Sequence, residues 1–363
     1  MIGRSSSIHI MGAMQTNLEP KKILVVLHGS IGDVTRALPL ANLLHRGFPK
    51  ATLAWAVEPP SLPLVEHHPA VDEVILFDRP RWWNQLGPFL RRIRAGRFDL
   101  VLDLQRHLKS GIISRWSGAP HRLGFHRLDC KEFNWVFNNH HIPAVENGIS
   151  KFNHYLKFAE YLGLAPEPVE WKLSLTKEER VGVDRRLANV RGAFATLFVG
   201  SRWESKDGSR RKYRLAQTLC GHVMVLALFC WAANRTRPSQ GKSRLLADQG
   251  VTNLVGRTSL KEAVGSSRGE GRSGTRHRFD AHCCGGGYTG HILMGATSPS
   301  RTGPYGFEDL VIQGKADCSP CYRRHCPIGR VCMQSIEVET IMAKIEIGLS
   351  RERNGAAAYE TQL

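Results

Sequence analysis

The chain has 363 residues, a length that allows two domains of ordinary size, each with its own hydrophobic core. Its formal charge of +18 favours an anionic partner, so nucleic acid, an anionic membrane face and a phosphorylated substrate are the candidates. The sequence has no basic recognition helix, zinc-finger pattern or RNP pattern, which makes nucleic acid the weakest of the three. The most apolar window, 223–233, is too short to span a bilayer.

The two ends of the chain read as non-core segments. Residues 1–20 are polar and lack the apolar core of a signal peptide, so we expect a disordered leader there, and residues 349–363 are interpreted as a tail. Without an export signal the predicted location is the cytoplasm, where the nine cysteines would stay mostly reduced.

The segment 21–44 is the opening unit of the fold. An apolar run over 23–27 breaks at a glycine-rich loop and resumes at helical spacing over 34–44, which predicts strand, loop and amphipathic helix. The loop residues that would let a ligand approach the backbone are Gly29, Ser30 and Gly32. Asp33 lies where the helix begins, and it either caps that helix or serves a ligand held by the loop.

Strand and helix patterns alternate after this unit. Strand-like runs lie at 51–57, 73–77 and 98–102, and helix-like segments lie at 62–67, 82–95 and 107–116. This alternation predicts a doubly wound parallel sheet in an α/β domain spanning 21–165. Asp103 and Gln105 follow a strand, at the carboxyl edge where such sheets bind ligands, although Asp103 would also serve as a helix cap.

A basic cluster is predicted beside the same edge, where it is either a solvated face or a site for an anionic acceptor. Its members are Arg91, Arg92, Arg94 and Arg97.

A second α/β domain is predicted over 193–348. The amphipathic helix 149–164 ends the first domain, and the prolines after it begin a linker placed at 166–192. The second domain opens with a strand over 193–199 that leads into the loop 200–206. Further regular structure is predicted at 251–255, 260–264 and 309–312, with a closing helix over 335–349.

Six motifs follow one another along the chain: HGSIGDVTRALP, DLQRHLKSG, GSRWESK, LVGRTSL, GATSPSRTGPYG and CSPCYRRHCPIGRVCM. In this order they resemble the ADP-heptose:lipopolysaccharide heptosyltransferases of glycosyltransferase family 9, over about residues 21–206, 244–264 and 295–348. The resemblance implies the GT-B architecture, in which two Rossmann-like doubly wound parallel-sheet domains are joined by a linker. It also implies inverting transfer of heptose from ADP-L-glycero-D-manno-heptose to a Kdo- or heptose-bearing lipid A core. The enzyme would then be in peripheral contact with the cytoplasmic face of the inner membrane.

The resemblance assigns roles to residues of this chain. Asp33 matches the proposed base of the family, and Lys206 matches its phosphate-binding lysine. Because the chain has no Asp-X-Asp sequence, we expect no metal cofactor, and lysine and backbone donors would stabilise the departing diphosphate. Donor-side residues are expected to be Ser201, Arg202 and Lys206; acceptor-side residues are expected to be Asp103, Gln105, Arg91, Arg92 and Lys109.

The last motif carries four cysteines spaced like a small zinc knuckle: Cys318, Cys321, Cys326 and Cys332. Reduced structural thiols are the expected state, with a zinc site as the alternative.

Two windows, 207–243 and 266–294, depart from the family pattern. They lack the regular alternation and the Asp-Thr-Gly-X-X-His loop of the family, and eleven Lys/Arg against three Asp/Glu give them +8 of the total charge. Back-translation of 275–282 with a one-base shift permits Pro-Asp-Thr-Gly-Leu-Met-His. We therefore hypothesise two compensated pairs of frameshifts, and expect a second domain that is damaged and lacks at least two central strands. The rival functions are a catalytically inactive product of such a gene and a family member with another nucleotide-sugar or acceptor.

Overall fold

The computed structural model describes residues 18–78, 81–146, 148–188, 194–198, 203–206, 224–228, 252–254, 257–268, 292–306, 308–344 and 346–347. The predicted tail and nearly all of the predicted leader lie outside these ranges. The chain divides into two compact units, Met1–Leu173 and Ser174–Leu363.

The first unit is built on a six-stranded sheet, in which every strand is parallel to its neighbours. The strands are β1 (Lys22–Val26), β2 (Thr52–Val57), β3 (Glu73–Leu76), β4 (Leu100–Asp103), β5 (His121–Gly124) and β6 (His140–His141). Their order is β3-β2-β1-β4-β5-β6, the order of a doubly wound sheet, so the predicted fold class is confirmed. Val26 of β1 is in register with Asp103 of β4, so these two strands end side by side.

The helices between these strands are α1 (Ile31–Gly47), α2 (Leu62–Val65), α3 (Trp82–Ala95) and α4 (Leu108–Trp116), and α5 (Lys151–Tyr161) follows the last strand. The central strands are buried along almost their whole length, as expected for a parallel sheet covered on both faces. On one face Phe89 and Ile93 of α3 pack in a cluster with Leu24, Ala54 and Val101 of the strands. A 3₁₀ turn, Asn134–Phe137, lies between β5 and β6.

The second unit contains two separate parallel sheets in the part of the chain described. The three-stranded sheet has the order β7 (Phe194–Phe198), β8 (Met224–Leu228) and β9 (Thr252–Asn253), and β10 (Ile292–Met294) pairs with β11 (Val311–Gln313). The helices are α6 (Lys177–Leu187), α7 (Leu260–Arg268), α8 (Pro299–Thr302) and α9 (Val331–Gln334), and residues 338–344 are also helical.

Helix α6 lies within the segment that the sequence assigned to a linker. It begins with a capping box between Thr176 and Glu179. It packs on α7, where Arg186 pairs with Glu262 at 2.8 Å and Lys261 pairs with Glu179 at 2.9 Å. Residues 177–187 are therefore structurally a part of the second unit.

Both discordant windows contribute a strand, which the sequence analysis did not expect. The apolar run 224–228 forms β8, the central strand of its sheet, and 292–294 forms β10. The expected loss of at least two central strands stays a prediction, although the short apolar run of β8 pairs at the centre of its sheet. Most other residues of the windows lie outside the described ranges.

Candidate active site

Asp33 lies in the first turn of α1, directly after the glycine loop. The N-cap residue of the helix is Ser30, whose hydroxyl donates to Asp33 Oδ2 at 3.3 Å. Asp33 is the third helical residue, so it does not occupy the capping position that the sequence analysis allowed for it. Its carboxylate is therefore available for a different contact.

That contact is Lys151, the first residue of α5. Lys151 Nζ lies 2.6 Å from Asp33 Oδ1, and Arg36 Nη1 lies 3.9 Å from the same oxygen. The hydroxyl of Ser150 accepts a hydrogen bond from the Asn153 amide and so fixes the start of α5. The N-termini of α1 and α5 thus bring the carboxylate and the ammonium together at the carboxyl edge of the sheet.

The electrostatic surroundings keep Asp33 ionised. Burial raises the pKa of this carboxyl and is the largest single influence, but Lys151, Arg36 and the Ser30 hydroxyl together outweigh it and leave the pKa below its ordinary value. Tyr155 follows one turn later on α5, where burial and then the charge of Asp33 raise the pKa of its phenol. At neutral pH the site therefore holds a carboxylate beside a protonated phenol and a cation.

The two glycines of the loop differ in how much space a side chain would find around them. A Cβ built on Gly29 would approach no atom more closely than Glu58 Oε2, at an ordinary contact distance of 3.9 Å. A Cβ on Gly32 would lie 3.1 Å from Arg36 Nη1, a tight contact with a side chain that already donates to the Gly32 carbonyl. Packing inside the protein therefore restricts Gly32 but does not require a glycine at position 29.

Asp103 ends β4 and is fully buried. It accepts hydrogen bonds from the Gln105 amide at 3.1 Å and from Asn134 Nδ2 at 2.6 Å. Burial, the largest influence, raises the pKa of Asp103, and these hydrogen bonds act in the opposite direction. Since its oxygens face the protein interior, Asp103 positions the turn that carries Gln105.

Two further acceptor-side candidates lie near this turn. Gln105 is half-buried, and its Oε1 is buried without a hydrogen-bond partner among the described residues. Lys109 is exposed in the first turn of α4. Both therefore stand at the carboxyl edge, where the sequence analysis placed Gln105.

The arginines of the predicted basic cluster lie elsewhere. Arg92 pairs at 3.0 Å with Glu73, the first residue of β3, and a Cβ on Gly118, just before β5, would clash with Arg94. Glu73 and Gly118 both lie at the amino edge of the sheet. The expectation that Arg91 and Arg92 flank the carboxyl edge is wrong, because α3 runs antiparallel to the strands and its last turns lie at the far end.

In the second unit, Lys206 ends the short turn Glu204–Lys206. Its ammonium lies 4.6 Å from the centroid of the Trp203 ring, and Arg324 approaches the same ring at 5.9 Å. The Ser205 amide donates to the Arg324 carbonyl at 3.1 Å, which fixes the turn against this second segment. Two cations therefore share one aromatic ring. The other donor-side candidates, Ser201 and Arg202, lie outside the described residues.

Hydrogen bonds tie the cysteine motif to the residues that directly follow β10. The Tyr322 amide donates to the Ala296 carbonyl at 2.7 Å, and the Ser319 hydroxyl donates to the Gly295 carbonyl at 2.7 Å. Burial raises the pKa of the Cys332 thiol, and the nearby thiols of the motif add to this effect. Among the described residues no three His, Cys, Asp or Glu side chains are arranged to hold a metal ion, so the zinc alternative gains no support from them.

A cavity of about 590 Å³ lies at the carboxyl ends of β10 and β11, a volume typical of small-molecule sites. Its lining includes Ser298, Gln313, Lys315, Asp317 and Ser319. The sequence analysis assigned no role to these residues, although Ser298 lies within GATSPSRTGPYG and Ser319 lies within the cysteine motif.

The sequence analysis also missed two residues of the candidate site, Lys151 and Arg324. Lys151 is separated from Asp33 by 118 positions, so no local spacing could connect them. Arg324 lies within the cysteine motif, in which the sequence analysis named only the cysteines.

Comparison with known proteins agrees with the resemblance noted in the sequence. The profile of glycosyltransferase family 9 (heptosyltransferase) matches residues 87–265. The lipopolysaccharide core heptosyltransferase OpsX of Haemophilus influenzae is 23% identical over 249 residues, which cover 67% of this chain and 70% of that protein. Lipopolysaccharide heptosyltransferase 1 of Pseudomonas aeruginosa is 26% identical over 338 residues, covering 84% and 87%.

Solved structures share the fold. A family 9 glycosyl transferase from Veillonella parvula superposes with a TM-score of 0.70 at 15% identity, covering 91% of this chain and 97% of the other. The E. coli heptosyltransferase WaaC, solved with ADP-2-deoxy-2-fluoro heptose, gives a TM-score of 0.64 at 17% identity, covering 90% and 99%. With the family profile, the relatives and the fold in agreement, the chain is a glycosyltransferase similar to those of glycosyltransferase family 9.

Proposed function

We propose that the protein transfers heptose from ADP-heptose to the core of lipopolysaccharide, with inversion at the anomeric carbon. The names of the two relatives give the reaction class, and the ligand of the WaaC structure gives the donor class. The observation that carries the proposal in this chain is the ionised carboxylate of Asp33 at the helix start beside the glycine loop.

Asp33 is the base in this proposal. It takes the proton of the acceptor hydroxyl as the hydroxyl oxygen bonds to the anomeric carbon, while the bond from that carbon to the diphosphate oxygen breaks and ADP leaves. A positioned base of this kind contributes about 10²–10⁴ in rate. Lys151 holds the carboxylate in an ion pair, which has to loosen before the proton can be accepted.

Lys206 stabilises the charge that develops on the departing diphosphate, together with Ser201 and Arg202, and no metal is required. Its position over Trp203 keeps the ammonium at a defined place. On the acceptor side Gln105 and Lys109 are the proposed contacts, with Asp103 as a positioning residue. The acceptor is lipid-linked, so we place the enzyme in the cytoplasm, in peripheral contact with the inner membrane.

The test is an assay of ADP release and product mass with ADP-heptose and a soluble, delipidated core acceptor. We expect Asp33→Asn to lower kcat by about 10²–10⁴ while donor binding persists, and Asp184→Asn, an exposed carboxylate on α6, to leave kcat unchanged. Transfer from a different nucleotide-sugar, and none from ADP-heptose, would reject the proposed donor.

Consumption of no donor at all would favour the rival, an inactive product of an altered reading frame. Resequencing the DNA that encodes 207–243 and 266–294 then separates the two explanations. Single-base corrections that restore Asp-Thr-Gly-X-X-His would assign the loss to the reading frame, and assay of the corrected protein would test the proposed reaction.

A further inference from the structure

Helix α4 carries an apolar stripe on its outer side. Leu108, Ile112 and Trp116 are four residues apart, so they align on one face, and they are 41%, 44% and 52% exposed. Lys109 and Arg115 are also exposed and, by helical spacing, flank this stripe on either side. An exposed apolar stripe between two cations is the pattern of a helix that lies at a membrane surface.

The segment that follows β5 continues this surface. Its exposed apolar residues include Leu128 and Phe133, each 75% exposed, and Val136 at 59%. Phe133 has a φ of 57°, in the left-handed region that bulky residues avoid, and this backbone presents its ring to solvent. Exposed large apolar groups gathered in one region mark interaction surfaces more often than isolated ones do.

Helix α4 and this segment are fixed to each other. The Leu108 amide donates to Glu132 Oε2 at 3.2 Å, Asn134 Nδ2 donates to the His107 carbonyl at 2.8 Å, and the Ser114 hydroxyl donates to Asn138 Oδ1 at 2.7 Å. These contacts join the helix, from its first turn to its last, to residues 132–138. The two sets of apolar side chains therefore lie on elements of the first unit that are hydrogen-bonded to each other.

The net positive charge of this surface favours an anionic partner. Helix α4 and residues 126–137 contain four Lys/Arg and two Asp/Glu, a net charge of +2. One of the two acidic residues, Glu132, is engaged with the start of α4, and the other, Asp129, holds the Val145 amide at 3.2 Å. Basic and apolar groups on one surface match an anionic lipid bilayer, where apolar side chains enter the interface and cations meet the headgroups.

We propose that the surface formed by α4 and residues 126–137 docks the first unit onto an anionic lipid membrane. The inference deepens the proposed function and rests on it only for the biological purpose, since a lipid-linked acceptor lies at a membrane. The surface adjoins the catalytic edge, because Asn134 hydrogen-bonds both to the His107 carbonyl and to Asp103.

The experiment is flotation of the full chain with vesicles of phosphatidylethanolamine and phosphatidylglycerol, compared with vesicles of phosphatidylcholine. We expect binding to the anionic vesicles that weakens at high salt. Arg127→Gln with Lys131→Gln should reduce the partition coefficient about thirtyfold, from the usual attraction of one basic residue to an anionic surface. Ile112→Ser with Phe133→Ser and Val136→Ser should reduce it at least tenfold.

The matched control is Val181→Ser with Ile328→Ser, two exposed apolar residues of the second unit that are expected to leave partition unchanged. Circular dichroism and thermal unfolding verify that each variant is folded. The apolar variant should retain wild-type transfer to a soluble acceptor while losing vesicle binding.

Equal binding of wild type and folded variants, or equal binding to neutral and anionic vesicles, would overturn the proposal. It would also be overturned by a wild-type dimer that the apolar variant dissociates, because the surface would then join two copies of the chain. Vesicle binding without any transfer would reject the proposed function and leave the docking surface standing.

Discussion

Lys151 Nζ lies 2.6 Å from Asp33 Oδ1, which joins the first turns of two helices that are far apart in sequence. The pair gives the proposed base a cationic partner from within the protein. A carboxylate held this way stays ionised but is a weaker proton acceptor, because its negative charge is already compensated. A group on the acceptor that draws the ammonium away would therefore increase the basicity of Asp33.

The first prediction concerns Lys151→Met. Lys151 lowers the pKa of Asp33, so its removal leaves burial to raise that pKa. The acid limb of the profile of kcat/KM against pH should therefore move to higher pH, because Asp33 is protonated sooner as the pH falls. Lys157→Met, on the same helix but paired with Glu160, is the control and should leave the limb in place. If the acid limb of Lys151→Met lies at the same pH as that of the wild type, the ion pair does not set the pKa of the base.

The second prediction concerns stability at Asp103. Both carboxylate oxygens of Asp103 accept hydrogen bonds from N–H groups of the protein. Asp103→Asn would replace one of these oxygens by an amide N–H, which would then face a neighbouring N–H donor. We expect the free energy of unfolding to fall by about 1–3 kcal/mol, the usual cost of a buried unsatisfied group. Denaturant unfolding measures it, and Asp78→Asn, at a more exposed carboxylate near Arg81, should change it little. An unchanged midpoint for Asp103→Asn would contradict the inferred positioning role.

The third prediction concerns the donor side. If Lys206 stabilises the departing diphosphate, Lys206→Met should lower kcat by about 10²–10³, the typical effect of removing one preorganised donor. Lys177→Met, at an exposed lysine where α6 begins, provides the comparison and should retain kcat. A variant with a raised KM and normal kcat would instead show that Lys206 binds ground state and transition state equally.

The fourth prediction concerns Gly29. Since a Cβ at this position meets only an ordinary contact, Gly29→Ala should fold with wild-type stability. We nevertheless expect donor or acceptor KM to rise, because the methyl group occupies the space through which a ligand would approach the backbone. Gly87→Ala in α3, where a Cβ would meet nothing within 4 Å, should keep both stability and KM. Unchanged KM in Gly29→Ala would remove the loop from the binding site.

Much of the first unit could be predicted from the sequence. The apolar runs at 23–27 and 98–102 bury both faces in a parallel sheet, so the runs alone indicate β1 and β4. The order of motifs identified the family, and the glycine loop located Asp33 at a helix start. These features are local, because each depends on residues only a few positions apart.

Only the tertiary structure decided which residues meet. The crossing of α1 and α5 selected Lys151 as the partner of Asp33, and the antiparallel course of α3 placed Arg92 at the amino edge with Glu73. Spacing along a chain fixes the face of a helix on which a side chain lies, but the packing of helices on the sheet fixes which end of the sheet that side chain reaches. The sequence by itself indicated the family resemblance and the base candidate, and the packed fold determined the ion pair that this candidate forms.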